Sequence, residues 1–200
     1  AMRDAVPDGA GAMAAVVGLD ADAVSTLCAA IPGQLEAVNF NAPTQIVIAG
    51  STAAIDEACA RAKEFGARMI RKLPVSVPAH SVLMRAARAR LDAAAATLNW
   101  SAPRIPLLHN IDAQAWTVVE DVRSRVLEQV HAPVQWVATQ QALHDQYGCR
   151  VALESGPGNV LAGLGRRSGI ALDVRAFPAP EELHERAEQW AADHVTEEQP

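Results

Sequence analysis

His80 is the residue of this chain best placed to do chemistry. It follows the run Val75-Ser76-Val77-Pro78-Ala79 and precedes Ser81-Val82-Leu83-Met84. The proline biases the residue before it towards extended backbone. Ser81 is of a type that caps helices, and Leu83, Met84, Ala87, Leu91, Ala94 and Leu98 recur at helical spacing behind it. The imidazole is therefore expected at a strand-to-helix junction. Histidine titrates near neutrality, so it can take a proton from a hydroxyl and activate it as a nucleophile. No Gly-x-Ser-x-Gly elbow occurs in the 200 residues, however, and Ser155 lies in no elbow sequence. From the residues alone, a capping or solvated histidine competes equally with a base.

Other candidate groups are weaker. Gln129 sits near the end of a helical run and reads by default as a solvated residue. Asn39 and Asn41 flank Phe40 at a strand-to-turn segment, where asparagine needs no further role. Arg68 and Lys72 suit either a solvated strand face or contacts with phosphates and acidic groups. Gly156-Pro157-Gly158 lacks the lysine of a phosphate loop and reads as a tight strand-to-helix turn. His109, His131, His144, His184 and His194 show no metal-ligand spacing, so neither a metal nor a cofactor is expected.

The elements that must position these groups fall into two textures. Ala12 to Leu19 reads as a buried strand, and Asp20 caps a helix carrying Val24, Leu27, Cys28 and Ile31. Leu35 to Phe40 and Gln45 to Ala49 form a hairpin around Asn41-Ala42-Pro43-Thr44. Ser51 caps a second helix with Ile55, Cys59, Ala62 and Phe65 on one side, and Gly66 ends it. Arg68 to Leu73 is a fourth strand. The order β-α-β-β-α-β is the split βαβ, ferredoxin-like pattern, assigned to residues 10–76.

Residues 77–195 alternate differently. A helix from Ser81 leads to a strand over Ile105 to Ile111. A helix over Val118 to His131 turns Val122, Val126, Leu127 and Val130 inward. Pro133 closes it and opens another through Val137 and Leu143. Cys149 to Leu153 reads as a short buried strand, Val160 to Leu164 starts a helix, and Ala171 to Phe177 is the last strand. Glu181 to Ala192 is a charged amphipathic helix. Alternation of this kind indicates parallel α/β architecture. Three strands are few for a covered parallel sheet, so this region reads as part of a larger one.

Composition narrows the function classes. Half of the residues are apolar, enough for a packed core, but only 4% are aromatic, so Ala, Val, Leu and Ile must build it. A net charge of −6 argues against a nucleic-acid partner. No apolar run of spanning length argues against a membrane one, and the first residues lack the apolar core of a signal peptide. Three widely spaced cysteines fit reduced thiols in a cytoplasm better than a disulfide framework.

Six segments appear in order: Ala-Val-Pro-Asp-Gly-x-Gly-Ala-Met-Ala-Ala-Val-Val-Gly-Leu (Ala5 to Leu19), Val-Asn-Phe-Asn-Ala-Pro-x-Gln-Ile-Val-Ile-Ala-Gly (Val38 to Gly50), Val-Ser-Val-Pro-Ala-His-Ser-x-x-Met (Val75 to Met84), Asn-Ile-Asp-Ala (Asn110 to Ala113), Gln-x-x-x-Pro-Val-Gln-Trp (Gln129 to Trp136) and Glu-x-Gly-Pro-Gly-x-Val-Leu (Glu154 to Leu161). Together they resemble the malonyl-CoA:acyl-carrier-protein transacylases of bacterial fatty-acid synthesis, from about Met2 to Phe177. The resemblance implies a ferredoxin-like small subdomain set into an α/β-hydrolase-like large subdomain, of which this chain holds the C-terminal part. It implies transfer of malonyl from CoA to the phosphopantetheine thiol of acyl carrier protein through an acyl-serine.

In that family a serine in Gly-His-Ser-x-Gly is the nucleophile, an arginine binds the malonyl carboxylate, and a histidine is the base. The histidine maps to His80 and the glutamine that holds it, through a backbone carbonyl, to Gln129. Asn39 and Asn41 are implied to line the cleft between the subdomains, and Arg68, read from the residues alone, joins them as a candidate for binding substrate. The serine and the arginine fall before Ala1, in an N-terminal part expected as the partner of this chain. Arg3 stands where the family places no such arginine. Without them the chain alone is expected to be inactive. A polyketide-type acyltransferase fragment and a noncatalytic carrier-protein-binding module remain as alternatives.

Overall fold

The computed structural model describes Met2 and residues 4–75, 77–177 and 188. Arg3 and the helix expected over Glu181 to Ala192 (Glu188 apart) lie outside the described residues.

Chain order in the first half is β1 (Gly11–Val17), α1 (Ala21–Ala30), β2 (Leu35–Ala42), β3 (Gln45–Ser51), α2 (Thr52–Arg61) and β4 (Met69–Lys72). The strands form one antiparallel sheet in the order β2-β3-β1-β4. This is the ferredoxin-like arrangement that the sequence pattern predicts. Asp20 caps α1 by accepting from the Ala23 N–H at 2.9 Å, and Ser51 caps α2 through the Ala54 N–H at 3.3 Å. Such a cap is worth about 1 kcal/mol. A short 3-10 turn extends α2 to Phe65, and Gly66, at φ +91°, reverses the chain into β4.

Strand alternation sorts the side chains of the sheet onto two faces. Ala14, Val16, Ile46 and Ile48 meet Val24, Leu27, Ile55 and Ala58 of the two helices in the main core. Burying each of the larger aliphatic side chains contributes about 1.5–3 kcal/mol. Met13, Val38, Val47 and Ala49 leave the opposite face and form a second cluster with Leu73 and Ala79. Leu73 and Ala79, on either side of the run that leads to His80, are thus laid on the helix-free face.

The second half contains α3 (Arg85–Ala95), α4 (Val119–Glu128), α5 (Trp136–Asp145), β5 (Val151–Ser155), α6 (Val160–Ser168) and β6 (Asp173–Phe177). β5 and β6 pair in parallel, from Val151 beside Asp173 to Ser155 beside Phe177, with α6 as the crossover. The architecture is mixed α/β, with a short parallel element beside the antiparallel sheet.

Four expectations fail here, each for a local reason. Ile105 to Ile111 is no strand: Ile105 is 77% exposed, and one bridge, Leu108 with Ala115, is all the pairing found. Pro106 interrupts the run and Pro103 precedes it, and each withholds a backbone donor. Ser81 caps nothing with its side chain. Its buried hydroxyl donates to the Pro78 carbonyl at 2.7 Å, and a 3-10 turn, Val82–Met84, precedes α3. Leu98 and Val126 are exposed, because α3 stops at Ala95 and α4 buries Val122 and Leu127 instead. The strand expected at Cys149 to Leu153 begins at Val151 and leaves Leu153 half exposed, since a two-stranded sheet covers little of its own surface.

Among the described residues no helix is long and apolar enough to cross a membrane. The three cysteines are free and half-buried, and burial, with Glu36 adding to it, pushes the Cys28 thiol up to about 11.

Candidate active site

The turn that presents His80 is built from Pro78 outward. Pro78 is fully buried. Gly11 of β1 lies directly beneath it, and a side chain there would overlap the proline ring. Ala79 N–H donates to Val77 O at 3.0 Å, and Ser81 Oγ closes back onto Pro78 O. These bonds force His80 into the left-handed region, at φ +65°. A non-glycine residue there costs about 1–2 kcal/mol. The tight turn lifts the imidazole away from Ala79, which stays on the sheet.

Two main-chain carbonyls then hold His80. Its N–H donates to Val130 O at 3.1 Å, and its Nδ1 lies 2.7 Å from Gln129 O. A carbonyl oxygen only accepts, so Nδ1 must carry the proton. In the neutral ring this tautomer leaves the lone pair on Nε2. The Gln129 side chain takes no part in this contact. Its Nε2 donates to Ala132 O at 2.9 Å and Pro133 O at 3.2 Å, folding the 129–133 turn over itself. Val130, 8% exposed, fixes the turn against Met84 and Ala87.

The same loop reaches the antiparallel sheet. Val134 N–H donates to Val38 O at 2.8 Å, and Phe40 N–H to Val134 O at 2.9 Å. Asn39 therefore bridges Val134 directly. Bulges at Val38 and Asn41 shift the register of β2, and Asn39 comes to stand opposite Val47, on the helix-free face. Asn41 is half-buried at the end of the strand.

The row through Asn39 and Val47 continues to Ala15 and then Arg71. Arg71 shares a cleft of about 460 Å³ with Arg68, Met69, Thr44, Gln45 and Arg167. Arg167 of α6 closes one side by donating to Gln45 Oε1 at 3.0 Å. Three guanidiniums thus meet on one surface of an otherwise acidic chain. Lys72 is not part of it. Its row belongs to the helix-facing side of the sheet, and its Nζ lies 2.6 Å from Asp56 of α2.

The sequence reading paired His80 with Gln129 and named Arg68, Asn39 and Asn41. It missed Arg71, because strand register decides which cation faces the cleft, and Arg167, which α6 brings in from far along the chain. It also missed Glu154, whose buried carboxylate accepts from Leu161 N–H at 3.0 Å and Ala162 N–H at 2.9 Å. That carboxylate caps α6 from the end of β5 and folds Gly156-Pro157-Gly158 into a turn. The glutamate six residues before the apolar run that starts at Val160 was its signal. No group of three or more metal-binding side chains occurs among the described residues.

No family model matches the chain. It is 41% identical over 190 residues to a malonyl CoA-acyl carrier protein transacylase of Haemophilus influenzae, covering 91% of this chain and 61% of the relative. It is 39% identical over 181 residues to the protein of that name from Escherichia coli K12, covering 90% and 58%. The crystal structure of an acyl-carrier-protein S-malonyltransferase from Burkholderia pseudomallei superposes with a TM-score of 0.88 at 41% identity, over 94% of this chain and 61% of that one. A malonyl-transacylase solved in complex with its type II PKS acyl-carrier protein gives 0.89 at 34% identity, with the same coverage. In sequence and in fold alike, the chain is related to the malonyl CoA-acyl carrier protein transacylases and spans about three-fifths of their length.

Proposed function

We propose that this chain supplies the base for malonyl transfer from CoA to the phosphopantetheine thiol of acyl carrier protein. A serine hydroxyl attacks the thioester while His80 Nε2 takes its proton. The same nitrogen then protonates the departing CoA sulfur, leaving malonyl on the serine. In the second half the carrier thiol gives its proton to His80, attacks the malonyl-serine, and the proton returns to the serine oxygen. The observation that carries this reading is the 2.7 Å contact between His80 Nδ1 and Gln129 O, which leaves Nε2 free to accept a proton.

The nucleophilic serine and the arginine for the malonyl carboxylate have no counterpart at motif positions in these 200 residues. Another part of the same enzyme supplies them. Asn39 and Asn41 bond the acyl group or the pantetheine arm. Arg68, with Arg71 and Arg167 beside it, receives CoA phosphates or the acidic face of the carrier protein. A guanidinium suits both, since it binds phosphate and carboxylate with paired donors.

His80→Ala tests this in the protein as its gene encodes it. Transfer of labelled malonyl from CoA to carrier protein should fall by about 10²–10⁴-fold, the usual contribution of a positioned base. Undiminished turnover refutes the reading. Expressed alone, the 200-residue chain should take up no malonyl label, and a stoichiometric adduct within it refutes the placement of the serine elsewhere.

A second reading puts the carrier protein in polyketide assembly. It is supported by the likeness to the transacylase solved with a type II PKS carrier. Transfer rates to fatty-acid and polyketide carriers, measured side by side, separate the two.

A further inference from the structure

We propose that Asp112 is a positioning residue for His80, acting through Arg125 and the 129–134 loop; the inference rests on the reading of His80 as a base. His80 is held by the main chain of that loop at two points, Gln129 O and Val130 O. Both ends of the loop are tied to one turn, residues 109–114, which is remote from them in sequence.

At the first end stands Arg125, one helical turn before Gln129. Its carbonyl accepts the Gln129 N–H at 3.1 Å, and its Nε donates to Asp112 Oδ2 at 2.9 Å. At the other end the Gln135 N–H donates to Asn110 O at 2.6 Å, and Thr139 Oγ1 lies 3.3 Å from Asn110 Oδ1. The turn thus grips α4 and α5 on either side of the loop between them.

The turn is itself stiff. Ala113 N–H donates to His109 O at 2.8 Å and His109 N–H to Gln114 O at 3.0 Å, with Ala113 at φ +57°. Asp112 Oδ2 also accepts from Trp116 Nε1–H at 3.0 Å, and Oδ1 from Gln114 N–H at 3.1 Å. The Arg125 guanidinium lies over the Trp116 ring, 4.6 Å from its centre. Glu128 of the same helix accepts from the other side of the guanidinium at 3.5 Å, and a planar cation held by two carboxylates and from one face by an indole has little freedom left.

The consequence reaches His80 through direction. Hydrogen bonds weaken steeply with angle. Gln129 is the C-cap residue of α4, its N–H bonded to Arg125 O, so any tilt of that last turn swings the Gln129 carbonyl off the Nδ1 axis. The Glu128 contact lies within α4, so it is the Arg125–Asp112 bond that anchors this turn to residues 109–114 and resists the tilt, and through it Asp112 fixes which nitrogen of His80 is protonated.

The test is nitrogen NMR of histidine-labelled protein, in the protein as its gene encodes it, with folding checked by far-ultraviolet circular dichroism. In the parent protein His80 should show the Nδ1–H tautomer alone. Asp112→Ala and Arg125→Gln should each give a mixture of tautomers. Should Asp112→Ala not fold, Asp112→Asn, which keeps the shape of the side chain, is read in its place. A single unchanged Nδ1–H tautomer in the folded Asp112 and Arg125 variants overturns the proposal. The tautomer is read whether or not His80 acts as a base, so a failure here is distinct from undiminished turnover in His80→Ala.

Discussion

Val134 lies beside Asn39 as a one-residue parallel strand, hydrogen-bonded to β2 on both sides. The loop that holds the His80 ring is thereby stitched to the outer strand of the antiparallel sheet. Val134→Pro removes the N–H that reaches Val38 O. Losing such a bond between partly buried groups costs about 1–3 kcal/mol. The Phe40 amide, which donates to Val134 O, should then exchange faster with solvent, while Val134→Ala leaves its protection unchanged. Native-state hydrogen exchange read at Phe40 checks both.

Gly11 is required by what lies on it. A Cβ at this position meets the Pro78 ring, which is fully buried and cannot move outward alone. Gly11→Ala should destabilise the protein by about 1–3 kcal/mol, the usual cost of overpacking. It should also displace the His80 turn, so malonyl transfer falls more than stability alone explains. Urea denaturation and turnover, measured on the same preparation, separate the two effects.

Gln129 offers two different groups to two different tasks. Its carbonyl meets His80, and its side-chain amide donates to Ala132 O and Pro133 O. Gln129→Ala keeps the first and loses the second, so activity should drop modestly. Gln129→Glu sets a carboxylate against two carbonyl oxygens and should be worse than alanine in both activity and urea midpoint. The reverse order would show that the amide does not hold the turn.

Stability should depend on pH through His109 and His131. His109 Nε2 and His131 Nδ1 are buried with no hydrogen-bond partner. Burial is the main cause holding both imidazoles below their ordinary range. Arg88 and Arg85 add to it at His131, against Glu128. At His109, Asp112 opposes the shift and Arg125 adds to it. The unfolded chain therefore takes up these protons first as pH falls. Stability from this source is complete above the ordinary histidine value of about 6.5 and is lost below it. The urea midpoint should be lower at pH 5.5 than at pH 7.5, and replacing both histidines with glutamine should flatten the difference.

The first half of the fold was legible because each of its elements carries its own punctuation. Asp20, Ser51 and Gly66 mark helix ends, and Ile46 and Ile48 alternate against Val47 and Ala49. The second half was less so. Ile105 and Leu107 look like strand residues, but a strand exists only where a neighbour offers hydrogen bonds, and sequence periodicity does not report neighbours. The pairing of His80 with Gln129 was legible only through the order of six motifs. Their chemistry meets at a main-chain carbonyl, which every residue has, so no side-chain pattern identifies it. Arg71 was overlooked in favour of Lys72 because a one-residue difference in register exchanges the faces of a strand.

β4 forms one border of the antiparallel sheet and is only four residues long, with Met69, Arg71 and Lys72 turned to solvent. A border strand left open is a template onto which another molecule can add its own backbone. Arg71 in so short a stretch, with Arg68 just before it, makes that addition unfavourable, because a second copy would bring the same charges to the same place. Concentrated solutions of the protein should therefore resist strand-exchanged aggregation along this side.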